Sequence, residues 1–509
     1  MHEKKSYGKV AKEGVAWSFL REGVTELVMF PQSMILARLL SPREFGIAVA
    51  ALFFTQLSNK LSELGFNAAI VRSKVIEPIH LSSVFVVNLV VGALTAGVLT
   101  AIAPWVAAFY DQPETGQILP VAAISFLIAP LGTVSAGVLI RDMRFKEAAK
   151  VDWYQGLVFA VSSVILAWYG YSYMSIVYAR IMAVAVQAAS RLYYARWLPS
   201  LRFSRAAMYD VLSFGLGMYA KRLLDYVAGN IDNLVVGRFF GMVTLGLYDK
   251  AFSTMNRFLT RMNSAGPNVT FRVFAAIHDD ASRFQRAYRK VLLSSGMMGI
   301  PLFAILMATA PHLVEVLFGA RWLEATVPFQ VLCLAGMLKL VNTYASSATQ
   351  AVGQVWSEVW RQAGYTILIV LCLVALRRWG AVGAAGGVLI ATAVMTVWMH
   401  LLLKRVTPLQ WKDMFEPLLP SLQCGAVAAV VAVSVGWAVR VSTGTVSPWV
   451  LLGCQGVASA AAAAAFVLFA RHAELRALVC EVARDMAPRQ VAKHPWVRWY
   501  LDRFAELTP

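Results

Sequence analysis

The chain has 509 residues, of which 59% are apolar and only 15% charged, against about 25% charged in a soluble domain. Its mean hydropathy is +0.61 and its net charge +18. These values exclude a soluble enzyme, a disordered chain and a disulfide scaffold, and leave an all-α polytopic membrane protein.

A bilayer core of about 30 Å needs about 20 apolar residues per helix. On that rule the sequence predicts about fourteen transmembrane helices, at 14–39, 44–66, 82–108, 117–140, 152–170, 173–194, 209–237, 243–269, 289–310, 325–349, 357–376, 381–403, 419–439 and 447–470. The first twelve residues are polar and lysine-rich and lead into a long apolar run. The expectation is therefore an uncleaved first span rather than a signal peptide. Connections are short, so no soluble domain is inserted. The link at 270–288, with His278, Asp279 and Asp280, reads as a solvated helix–helix connection.

Lys and Arg are distributed unevenly. The termini and even-numbered connections hold about thirty of them, from Lys4 and Lys5 through Arg141, Arg144, Lys146 and Lys150 to Arg361, Lys404 and the tail. The odd-numbered connections hold about seven, including Arg38, Arg43, Arg238 and Arg440. This positive-inside bias places both termini in the cytoplasm. It also accounts for the basic charge without nucleic acid.

A shift of 200 residues brings Arg21 onto Lys221, Arg38 onto Arg238, Gly46 onto Gly246 and Arg72 onto Arg272. With a drift of about eight residues, Pro120 falls on Pro328. The expected organisation is two six-helix lobes related by an internal repeat, plus two extra C-terminal helices. Residues 1–203 form the N-terminal lobe (spans 1–6) and 204–410 the C-terminal lobe (spans 7–12). Spans 13 and 14 occupy 411–470, and 471–509 is a basic amphipathic cytoplasmic tail with Trp496 and Trp499. An even-numbered unit gives parallel repeats, and many transporters place the substrate path between such repeats.

A charge at mid-membrane costs at least ~2.5–3.5 kcal/mol, so each asks for a reason. The first span carries Arg21, Glu22 and Glu26; the seventh carries Lys221, Arg222, Asp225 and Asp232. On the eighth, Lys250, Arg257 and Arg261 fall on one helical stripe. Two readings stand side by side. The stripes line a wet, net-cationic cavity, or each charge pairs with a neighbour and holds helices together. Arg38 and Arg238, at span ends, suit snorkelling to the interface. Asp232 suits a cap as well as a functional role. Lys339, Arg180 and Glu358 read as isolated.

Cys333, Cys372, Cys424, Cys454 and Cys480 include no C-x-x-C pair, and the seven histidines show no metal spacing. No metal or cofactor is expected. No G-x-x-x-x-G-K-[ST] loop is present, so ATP is not bound by that route.

Three segments carry a family resemblance: Arg38-Leu-Leu-Ser41-Pro42-Arg-Glu44-Phe-Gly46 with Leu64-Gly65-Phe66-Asn67; Arg141-Asp-Met-Arg144-Phe145; and Asn230-Ile-Asp232-Asn233 through Gly237-Arg238 to Leu245-Gly246-Leu-Tyr248. They resemble the polysaccharide transporters, or oligosaccharide flippases, of the multidrug/oligosaccharidyl-lipid/polysaccharide (MOP) exporter superfamily. The resemblance implies a non-enzymatic flippase of the bacterial inner membrane. Such a protein moves an undecaprenyl-diphosphate-linked oligosaccharide by alternating access, for exopolysaccharide, capsule or O-antigen (lipopolysaccharide) assembly. Its partners would be the lipid-linked oligosaccharide, membrane lipids, a polymerase and glycosyltransferases. An exporter of drugs or metabolites from the same superfamily is the alternative. A membrane glycosyltransferase, polymerase or ligase is disfavoured by the absence of a large outer loop. Within the flippase reading, Arg21, Lys221, Arg222, Arg257 and Arg261 would hold the diphosphate, since guanidinium matches phosphate oxygens. Glu22, Glu26, Asp225 and Asp232 would be the groups for H+ or Na+ coupling.

Overall fold

The computed structural model describes residues 7–62, 77–205, 226–264, 266–444 and 446–469, and most of 472–480. Among them every regular element is helical and no strand occurs. The helices are α1 (Tyr7–Leu39), α2 (Pro42–Ser62), α3 (Pro78–Tyr110), α4 (Pro113–Arg141), α5 (Phe145–Trp168), α6 (Met174–Ala195) and α7, described over 226–240. There follow α8 (Met242–Met262), α9 (Gly266–Ile277), α10 (Ala281–Phe318), α11 (Thr326–Ala351), α12 (Val355–Ala375) and α13 (Gly380–Val406). The last are the short α14 (Trp411–Phe415), α15 (Leu419–Thr443) and α16 (Pro448–Phe469).

Each predicted span overlaps a helix over its described part, but the eighth, predicted at 243–269, is broken: α8 ends at Met262 and α9 begins at Gly266. Among the described residues nine helical segments are long and apolar enough to cross a membrane. α1, α2, α6 and α8 are the predicted spans that fall short of that apolarity. The reason is visible in α1 and α8, which carry the charged stripes. α10 has 38 residues, so it is about 57 Å long and extends well past the hydrocarbon core.

Sequence fixes the breaks. After α1 the segment Ser41-Pro42-Arg43-Glu44 forms a capping box. The Ser41 backbone N–H and Oγ–H both donate to Glu44 Oε2 at 2.7 Å, and the Glu44 N–H donates to Ser41 Oγ at 3.3 Å. Pro42 sits at the first helical position, where its missing N–H costs nothing. The link predicted at 270–288 is more ordered than a solvated loop. It holds α9, a turn, and the start of α10, which Asp280 caps by accepting the Arg283 N–H at 2.9 Å.

Two compact units are resolved, residues 1–246 and 247–509. In the first, α3 packs on α4, α4 on α6, α5 on α6, and α1 on α5. Arg21 meets Asp152 and Gln32 meets Ser163, both at a separation of 131 residues. The constant offset means that α1 and α5 run parallel in register. In the second unit α10 packs on α11, α11 on α13, and α12 on α13. By span number, 3–4, 4–6 and 5–6 in the first unit answer to 9–10, 10–12 and 11–12 in the second. That is the pairing order an internal repeat produces. The two extra helices α15 and α16 pack on each other and on α10.

The surface is that of a protein solvated by lipid. Leu94, Val98, Leu157, Ile367, Leu371, Val430 and Val433 lie exposed on mid-helix faces. In water so much exposed apolar surface would drive aggregation. Trp105, Trp168, Trp356, Trp379 and Trp449 are exposed towards helix ends, where aromatic belts meet the interface.

Candidate functional site

The charged groups singled out from sequence divide by surroundings. In the first unit, Arg21 Nη1 donates to Asp152 Oδ2 at 3.2 Å, and both side chains keep a third or more of their surface open (41% and 33%). One turn on, Thr25 Oγ1 donates to the Arg21 carbonyl at 2.7 Å, and further along Gln32 Nε2 donates to Ser163 Oγ at 3.0 Å. Glu22 is exposed and Glu26 half-buried. α1 thus presents a polar face of which α5 takes up Arg21 and Gln32. Asp152 is the partner that sequence reading missed. It sits at the very start of a predicted span, and a contact across 131 residues leaves no periodic signal.

Asp232, on α7, is buried, and its Oδ1 accepts the Asn233 N–H at 2.9 Å. On the same helix Tyr226 donates to the Phe53 carbonyl at 2.9 Å and Asn230 to the Tyr226 carbonyl at 2.9 Å. Lys221, Arg222 and Asp225 lie outside the described residues. At a helix end, Arg238 stacks over the Phe109 ring at 5.8 Å and is itself exposed, as a snorkelling residue does.

In the second unit the stripe on α8 splits. Lys250 is buried beneath Phe318 and Trp322, with Nζ 5.4 and 6.0 Å from the ring centroids. Arg257 is half-buried and Arg261 exposed. A cation–π pocket therefore claims the first member of the stripe, while the later two stay accessible.

Other charges have partners the sequence did not reveal. Arg361 is 1% exposed, not a solvated connection residue. It is ion-paired with Glu358, one turn away, and Glu358 accepts the Ser346 hydroxyl at 2.7 Å. Neither is isolated. Lys339 lies 4.5 Å over the Phe252 ring. Arg289 gathers three acids: Asp413 at 3.0 Å, Glu416 at 3.1 Å and Glu474 at 2.6 Å. This hub fixes the 407–418 connection and the chain beyond α16 to α10. No cluster of three metal-ligating side chains occurs among the described residues.

Long helices that are the only regular elements among the described residues, with apolar exposed faces, repeated pairings and polar faces along the spans, have the build of a membrane transporter. Comparison with solved structures agrees on the fold. The lipid II flippase MurJ in an inward closed conformation matches with a TM-score of 0.68 at 13% identity, covering 93% of this chain and all of MurJ. An inward-facing multidrug resistance MATE transporter of the MOP superfamily matches with a TM-score of 0.54 at 15% identity, covering 75% of this chain and 95% of that one.

The polysaccharide biosynthesis protein family matches residues 35–327, more than half of the chain, and the chain belongs to this family. Curated relatives include the teichuronic acid biosynthesis protein TuaB of Bacillus subtilis, 23% identical over 437 residues (84% of this chain, 90% of that protein). The lipopolysaccharide biosynthesis protein WzxC of Escherichia coli is 22% identical over 387 residues (75% and 79%). The succinoglycan biosynthesis transport protein ExoT of Rhizobium meliloti is 28% identical over 344 residues (66% and 68%).

Proposed function

We propose that this protein is a flippase that moves a lipid-linked oligosaccharide, carried on undecaprenyl diphosphate, across the bacterial inner membrane for polysaccharide assembly. The supporting observation is the coverage of the fold. MurJ, named as a lipid II flippase, matches 93% of the chain, while the MATE transporter matches 75%. The names of TuaB, WzxC and ExoT place these relatives in polysaccharide biosynthesis. Both supports favour a flippase over a drug exporter and over an enzyme.

In this reading both termini are cytoplasmic, and a polymerase and glycosyltransferases work beside the protein. Arg21, Lys221, Arg222, Arg257 and Arg261 hold the diphosphate, whose oxygens suit guanidinium and ammonium donors. Glu22, Glu26, Asp225 and Asp232 supply carboxylates that can exchange H+ or Na+ during the cycle. Arg21, tied to Asp152 through a half-exposed pair, can trade that partner for a phosphate at little cost, because such pairs are worth only about 0–1 kcal/mol.

Gene deletion with complementation tests this. Loss of the protein should stop polymer export and accumulate the lipid-linked precursor. R257A/R261A should restore neither at normal protein abundance. Normal export by R257A/R261A would remove the diphosphate role from α8. Normal polymer with altered drug susceptibility in the deletion strain would favour the exporter.

A further inference from the structure

We propose that Lys146, Lys150 and Trp153, on one face of α5, form a docking site for the diphosphate–sugar head group of a lipid-linked glycan. The proposal rests on the function proposed above and adds to it residues from outside the charged stripes.

Positions 146, 150, 153 and 154 follow helical spacing and share a face. Lys146 Nζ stands 5.8 Å from the Trp17 ring of α1, and Lys150 Nζ stands 5.8 Å from the Tyr194 ring of α6. Trp17 and Trp153 pack at 6.0 Å, and the Tyr154 and Tyr194 hydroxyls lie 3.4 Å apart. The two ammonium groups, one turn apart on α5, are therefore held by aromatic rings contributed by two neighbouring helices.

The nearby acids are engaged elsewhere. Asp152 pairs with Arg21 at 3.2 Å, and Glu147 with Arg144 at 3.6 Å. Among the described residues no carboxylate pairs with Lys146 or Lys150. A ring face attracts an ammonium through its quadrupole but leaves its N–H donors uncommitted. Trp153 adds an independent sign: its Nε1–H is buried and meets no acceptor, although buried indole N–H groups ordinarily find one.

The site thus offers more donors than acceptors and leaves both ammonium groups without a carboxylate, which favours an oxygen-rich anion. Two lysines one turn apart can reach both phosphates of a diphosphate. Tyr154, 43% exposed, offers an aromatic face on which the C–H side of a sugar ring packs. The phosphatidylglycerol head group shares the phosphate chemistry but has no sugar and only one phosphate, so the arrangement points to the glycosylated diphosphate.

The test uses the full chain in zwitterionic nanodiscs. Binding is measured for a polyprenyl-diphosphate N-acetylglucosamine, the sugar-free polyprenyl diphosphate and phosphatidylglycerol. K146A/K150A should weaken both diphosphate probes about tenfold or more, since charge-assisted bonds to phosphate are lost. K146R/K150R should retain them. Tyr154→Ala should bring the glycosylated probe down to the affinity of the sugar-free one. If K146A/K150A lowers abundance, K146Q/K150Q keeps the aliphatic stems and removes the charge, with the same loss expected. Unchanged binding of both diphosphates by the charge-free pair overturns the site. So does phosphatidylglycerol binding as tightly with the same loss, which would make the cluster an interfacial lipid anchor. If the wild-type protein binds neither diphosphate lipid, the proposed function fails with it; binding that ignores the lysines sinks the site alone.

Discussion

Gly46 of α2 and Gly246 of α8 stand 200 residues apart in the chain, and their backbones meet. A Cβ on Gly46 would collide with the Met242 carbonyl, and one on Gly246 with the Pro42 carbonyl. Pro42 and Met242 are themselves related by the same shift, so the contact has local two-fold symmetry. A carbon resting against a carbonyl oxygen needs about 3.3–3.6 Å, so Gly46→Ala forces the backbones apart by roughly an ångström or more. Overpacking of this kind costs about 1–3 kcal/mol. Replacing glycine by alanine in a helix returns about 0.8–1.0 kcal/mol, leaving a net loss of roughly 0–2 kcal/mol. Gly23 and Gly97 supply the control, because nothing lies within 4 Å of a Cβ at either. Gly23→Ala and Gly97→Ala should stabilise by the propensity term alone. The readout is thermal unfolding of purified protein in detergent, followed by tryptophan fluorescence. Gly46→Ala and Gly246→Ala should fall below Gly23→Ala and Gly97→Ala by about 1–3 kcal/mol, the full overpacking term. G46A/G246A should cost less than the sum of its parts, because backbones once parted accommodate both methyls. If Gly46→Ala melts with or above Gly97→Ala, the close approach is not a constraint and this reasoning is wrong.

Three further outcomes follow from the polar contacts. Arg289→Ala should lower stability by about 1–3 kcal/mol, read as a lower melting temperature, because Asp413 is only 6% exposed and loses its cation; Arg289→Lys should recover part of it. Gln32→Ala should cost about 1–2 kcal/mol in the same assay through the lost Ser163 bond and the space left behind, while Gln32→Leu, which refills the volume, should cost less. Arg361→Met should deplete folded protein on immunoblots by stranding Glu358. Adding Glu358→Gln should restore abundance, because removing both charges of a buried pair is tolerated better than removing one.

The fold was legible because its signals are local. Apolar run length marks where the long helices lie, and the helix pairings within the two units follow a similar order. Ser41-Pro42-Arg43-Glu44 was visible only as a family motif; the structure shows it to be a helix-capping device. What stayed hidden was pairing at long range. Nothing in the sequence ties Arg21 to Asp152, Lys250 to Phe318 and Trp322, or Arg289 to Glu474. Arg361 misled because charge count assigns an arginine near a span end to water, whereas a carboxylate one turn away lets it be buried.

Those pairings bear on which charges are free to serve a substrate. An arginine inside a span is costly, but the cost alone does not say whether a neighbour or a ligand meets it. Arg361 with Glu358, and Lys250 under two rings, are met within the fold and fixed there by burial. Arg21 is met by an acid yet left open, so its partner is exchangeable. Arg257 and Arg261 occupy the accessible end of their stripe, and Lys146 and Lys150 are met by rings alone. The sequence ranks charges by how deep they lie in an apolar run. The structure ranks them by what they already touch, and on that ranking open or acceptor-poor cations near helix ends are better placed to meet a diphosphate than the deepest ones. In the proposed function a polyanionic head group would enter from water, so the first donors it met would belong at the ends of the helices.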